Sequence, residues 1–122
     1  MGVPAGEPRR GVPADGLEDK PPALAEQENL RAVEDAGVIC RFSRGVQSVE
    51  RLETLFDADY EALLDLGARI VTLERHFNNQ RGFDRADDVL PYELPGFEAA
   101  LEQYYEARGW NADGTVPDDA VA

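Results

Sequence analysis

The chain has 122 residues but only one cysteine, one histidine, one lysine and one tryptophan. Cys40 alone cannot form a disulfide within the chain, and this cysteine usage fits a cytoplasmic protein. His76 alone excludes a histidine-built metal site or a Ser-His-Asp triad assembled from this sequence by itself. No apolar run approaches the ~18 residues that a membrane-spanning helix needs. The opening MGVPAGEPRRGVPADG carries no apolar signal-peptide core. Basic side chains are scarce too: 12 Lys and Arg stand against 25 Asp and Glu, a net charge of −13. Such a surface repels phosphate backbones and anionic headgroups, so neither nucleic acid nor a membrane is an expected partner. Abundant carboxylates with Lys20 as the only lysine form the surface pattern of a salt-loving organism; an acidic interaction domain is the alternative. A hydrophobic content of 43% argues against a disordered acidic tail.

What is present is helical periodicity. Leu63, Leu66, Ile70, Leu73 and Phe77 recur at spacings of three and four, which predicts one long helix within residues 57–82. Asp57 is the expected N-cap, and Asn78, Asn79 and Gly82 supply the stop. Leu64 and Val71 widen the apolar stripe, so this helix is expected to be mostly covered. Gly67 lies mid-helix, where glycine costs about 1 kcal/mol relative to alanine, and predicts a close neighbour. Residues 23–36 and 46–56 read as two shorter amphipathic helices, the first ended by Gly37. Residues 98–108 read as the last, with Leu101, Tyr104 and Tyr105 inward and Trp110 folding back past Gly109. Pro91 and Pro95 mark a connector without a strand pattern. The expected fold class is all-α, a small bundle of about four helices. Residues 1–22, which hold Pro4, Pro8, Pro13, Pro21 and Pro22, form a flexible leader or linker; 23–117 form the helical domain and 118–122 an acidic tail.

Most charged positions have a plain explanation. Asp57, Asp59 and Glu61 mimic the start of a calcium loop, but Ala62 stands where its sharp-turn glycine belongs, so helix capping explains them better. Asp87 and Asp88 read as a solvated loop pair, and His76 as a solvent-facing helix position. Glu74 and Arg75, inside an apolar helix, read as structural partners of neighbouring elements. An isolated cysteine is usually a small buried hydrophobe. Cys40, flanked by Asp35 and by Arg41-Phe42, could instead supply one of the four thiolates that an iron–sulfur cluster needs.

Three blocks carry a family resemblance: DAGVICRF at 35–42, LGARIVTLERHFNNQRGFDRADDVLP at 66–91 and LEQYYEARGW at 101–110. In this order they resemble the C-terminal region of the tungsten-containing aldehyde ferredoxin oxidoreductases. The resemblance implies the C-terminal helical domain of such an enzyme. It also implies a [4Fe-4S] cluster, a tungsten bis-pterin cofactor and electron transfer to ferredoxin during oxidation of an aldehyde to a carboxylic acid. Asp35 and Cys40 match the spacing of the family's Asp-x-x-Gly-x-Cys segment, with Gly37 one place before the family's glycine and Val38 in that place. By the resemblance, Asp35, Ile39 and Cys40 are cofactor-binding residues, Cys40 being the cluster's metal ligand, and no catalytic residue lies in this chain. The family's cysteine triplet, first pterin motif and cofactor-cradling domain have no counterpart in these residues. The expectation is therefore a fragment or separately encoded piece, inactive alone and of haloarchaeal origin, whose partner is the missing N-terminal portion. The alternative is a non-catalytic helical remnant or binding module that kept only the fold.

Overall fold

A computed structural model describes Leu17, residues 19–37 and residues 49–121. Four helices follow in order, α1 (Lys20–Ala36), α2 (Val49–Phe56), α3 (Tyr60–Gln80) and α4 (Phe97–Arg108), with no strand among the described residues. Short 3-10 turns lie at Arg85–Asp87 and Asp118–Ala120. None of the described helices is long and apolar enough to cross a membrane.

The expected long helix is α3, but it starts later than expected. Asp59, not Asp57, is its N-cap: Oδ1 of Asp59 accepts from the Ala62 amide at 2.8 Å. Asp57 instead sits in the turn before it, at φ 52°. The stop falls where expected, with the Gly82 and Phe83 amides bonded back to the Asn79 and Asn78 carbonyls. Helix α1 begins at Lys20, because Pro21 and Pro22 occupy its first turn, where a missing N–H costs nothing. Helix α4 closes as expected. Gly109 adopts φ 75°, and the amides of Gly109 and Trp110 reach back to the Glu106 and Tyr105 carbonyls.

Helices α1 and α3 run antiparallel and in close contact. Glu34 lies near Tyr60, Asn29 against Gly67, and Glu28 and Arg75 border the same groove. Gly67 is the point of closest approach: a Cβ there would fall on the Asn29 backbone. Among the described residues an apolar cluster forms from Leu30, Val33, Leu52 and Leu63, with Phe56, Ala58, Tyr60 and Leu64 packed around it. The expectation of a mostly covered α3 fails beyond its first turns. Leu66, Leu73 and Phe77 are 44%, 55% and 58% exposed, whereas Leu63 is 3% exposed. Leu63 begins the same stripe but lies at the start of α3, where Leu30, Val33 and Leu52 of α1 and α2 pack on it, while further along α1 meets the side bearing Gly67.

Candidate functional site

Of the residues expected to meet cofactors, Asp35 lies in the last turn of α1 and is exposed. Ile39 and Cys40 lie outside the described residues. The turn carrying Asp35 is anchored from behind by Val33, which is buried in the core. Just beyond it, Gly37 abuts the Phe56 ring so closely that a Cβ would strike it. Asp35 therefore projects a carboxylate from a helix end fixed by packing on its opposite side. Among the described residues, no group of three or more His, Cys, Asp or Glu side chains could hold a metal ion. The donor set fits the implied cofactors only in part. With one cysteine in the whole chain, it could supply at most one of the four thiolates that such a cluster needs.

The other chemically dense region is an arginine–aromatic cluster around α4. Arg75 of α3 makes a bidentate pair with Asp88, its Nη1 donating to Oδ1 at 3.0 Å, and its Nε donates to the Gly114 carbonyl at 2.8 Å. Tyr105 donates its hydroxyl proton to the same Asp88 carboxylate. Gly114, at φ 79°, has no room for a Cβ, which would meet Arg75 Nη2 and the Tyr105 hydroxyl. Arg108, its side chain 2% exposed, pairs with Glu28 at 2.8 Å and also donates to Asn29 and to the Ala25 carbonyl. Trp110 lies between the two guanidiniums, 5.2 Å from that of Arg75 and 6.0 Å from that of Arg108, and donates to Thr72.

Burial alone would raise the Asp88 carboxyl pKa. Hydrogen bonds from Arg75 and Tyr105, with the charges of Arg75 and Arg85, hold it below its ordinary value instead. Tyr105 is pushed up to about 12, by burial first and then by its bond to Asp88. Tyr104 also rises to about 12, by burial and its bond to Glu28. These groups satisfy one another, and none is poised to exchange a proton near neutral pH. Asp88 is thus no solvated partner of Asp87: it is the acceptor that joins α3 to α4. Asp87 is exposed and caps the 3-10 turn, accepting from the Asp84 amide. Arg75 is structural, as its place in an apolar helix suggests, whereas Glu74 is exposed. His76 is half-buried beside Asn79 and Val116, not fully solvent-facing.

Above this cluster opens a groove of about 720 Å³, walled by Leu24, Val89, Tyr92, Leu94, Phe97 and Leu101 and floored by Glu28, Arg75, Asp88, Tyr104 and Tyr105. Its floor is already occupied in pairs, and Lys20 and Asp87 also border it.

The family model described as "Aldehyde ferredoxin oxidoreductase, domains 2 & 3" matches residues 3–122. The tungsten-containing aldehyde ferredoxin oxidoreductase of Pyrococcus furiosus is 32% identical over 95% of this chain and 23% of its own length. That of Thermococcus kodakarensis is 32% identical over 92% of this chain and 22% of its own length. That of Pyrococcus abyssi is 29% identical over 95% and 23%. No solved structure matches. The chain therefore spans less than a quarter of the length of these curated relatives. Matched along nearly its whole length, it belongs to the aldehyde ferredoxin oxidoreductase family.

Proposed function

We propose that this chain is the C-terminal part of a tungstopterin aldehyde:ferredoxin oxidoreductase and is inactive without the remainder. The observation that carries this reading is the lopsided match: at least 92% of this chain aligns with less than a quarter of each relative. In the proposed assembly an aldehyde and water give a carboxylic acid, two protons and two electrons, and the electrons leave for ferredoxin. When bound, the tungstopterin would supply the two-electron oxidation and the cluster a one-electron route outward. This chain's part is to hold those groups. Cys40 provides the fourth thiolate of the [4Fe-4S] cluster, and Asp35 and Ile39 contact the pterin. The exposed Asp35 carboxylate, fixed by the packed helix end behind it, suits a role as hydrogen-bond acceptor for such a ligand. Thiolate ligation and its surroundings also set the cluster's potential.

The test is to replace the matched segment of the Pyrococcus furiosus relative with this chain. Tungsten, iron and viologen-linked aldehyde oxidation are then measured in the chimera and in the chain alone. The reading expects metals and turnover in the chimera and neither in the chain alone. A chimera that is soluble and helical but holds neither tungsten nor cluster would instead identify a remnant that kept only the fold.

A further inference from the structure

Leu66, Ile70, Leu73 and Phe77 follow one another along α3 at intervals of four, three and four, the spacing of a coiled-coil seam. At 100° per residue the four fall within about 60° of one another, well away from the side that carries Gly67 and Val71. Ile70 is half-buried, while the other three are the long helix's large exposed apolar side chains. Among the described residues, α1 and α2 pack on Leu63 at the start of this stripe, α1 meets Gly67 and Trp110 reaches Thr72, which leaves Leu66, Leu73 and Phe77 exposed. The guanidinium of Arg81 lies over the Phe77 ring. A continuous apolar seam on a very acidic chain is a binding face, because singly scattered hydrophobes would not share one helical register.

We propose that this seam is where the remainder of the aldehyde oxidoreductase docks, an apolar helix or strand face laid along residues 66–77. The inference rests on the reading that this chain works as one part of that enzyme. Two observations select the occupant. The relatives carry more than three-quarters of their length beyond the segment matched here, so the family fold includes a large body for this domain to face. A second copy is the poorer occupant, since two chains of net charge −13 repel one another. The seam also differs in kind from the groove beside α4, whose polar floor is already paired. Among the described residues Leu73 stays 55% exposed, and an apolar surface laid on it would take it out of water.

The experiment compares amide hydrogen exchange of residues 61–80 in the isolated chain and in the chimera described above. Docking should slow exchange in this stretch by roughly tenfold or more. The double variant Leu73→Glu/Phe77→Glu should restore the fast rates in the chimera. Because both side chains face outward, it should leave the isolated chain's melting temperature within a degree or two. Equal exchange in chain and chimera would overturn the proposal, as would a double variant that keeps its protection. Protection that rises with concentration in the isolated chain would overturn it in favour of a second copy. The metal content of the same chimera keeps the two readings apart. Tungsten and iron without protection of 61–80 leave the function standing and remove the seam. Protection without metals does the reverse.

Discussion

At the end of the bundle where α1 finishes and α3 begins, Leu30, Val33, Leu52 and Leu63 exclude water, with the buried Glu34 side chain and Tyr60 beside them. At the other end, Arg75 and Arg108 pin α4 and the C-terminal loop to the same two helices through Asp88, Glu28, Tyr104 and Tyr105. The first end is held by burial, which is non-directional and tolerates repacking. The second depends on fixed angles and on both partners being present, since a lone buried guanidinium or carboxylate is costly. The described part of the domain thus uses two kinds of cement, and Asp35, the proposed pterin contact, sits at the mainly apolar end. Holding Asp35 by packing leaves its carboxylate free for a ligand, which a salt-bridged anchor would not.

The contrast is broken most severely at the core. Leu63→Ala should cost about 2–5 kcal/mol, as for other fully buried leucines, and in a domain this small that approaches the whole stability. Thermal melting followed by circular dichroism measures it, and a shift of only a degree or two would show that the apolar end does not hold the bundle.

The polar end should yield by less and report differently. Asp88→Ala removes the shared acceptor of Arg75 and Tyr105 and should cost about 1–3 kcal/mol. It should also change the native-state fluorescence of Trp110, which stacks against Arg75, whereas Leu63→Ala should leave that native emission unchanged. Identical spectra for both variants would mean that the two ends are not separately held.

Alkali sharpens the same difference without mutation. Tyr104 and Tyr105 have folded pKa values of about 12 against an ordinary value of 10.0. The stability they contribute is fully present below pH 10 and is lost as pH rises towards 12. Melting temperature should therefore be level from pH 7 to 9 and fall beyond 10. Tyr105→Phe should flatten part of that fall. Asp88 works in the opposite direction: its lowered pKa gives stability above the ordinary carboxylate value, lost as pH falls through the folded one.

The smallest effect is expected on the outer side of α3. Leu73→Ala removes a side chain already 55% exposed and should change stability in the isolated chain by about 0.5 kcal/mol. A loss as large as that of Leu63→Ala would mean that the stripe is buried along its whole length and that no free seam exists.

These contrasts follow which features the sequence made readable. Helix periods, the glycine stop after Arg108 and the close approach at Gly67 are local facts, carried by spacing and by one costly residue. Which length of the α3 stripe is covered was not readable, because a period of three to four marks an apolar stripe without saying what covers it. Leu63 and Leu73 look alike in sequence. The Arg75–Asp88–Tyr105 junction was hidden for another reason. Its members are 13 and 17 residues apart along the chain and obey no helical period. The clue available was an arginine inside an apolar helix, which demands a partner but does not name it. Asp57 lost the capping role to Asp59 by two residues, a usual margin at helix ends.

The central claim, that this chain lends one thiolate to a cluster shared with the rest of the enzyme, is tested most directly at Cys40. Electron paramagnetic resonance of the reduced chimera, with iron counted in the same sample, should show a normal [4Fe-4S] signal for the parent. For Cys40→Ser the signal should be altered or lost and iron lowered, while helical content and tungsten stay close to the parent's. A Cys40→Ser chimera with a full and unaltered cluster would contradict the account, leaving Cys40 a small hydrophobe with no part in electron transfer.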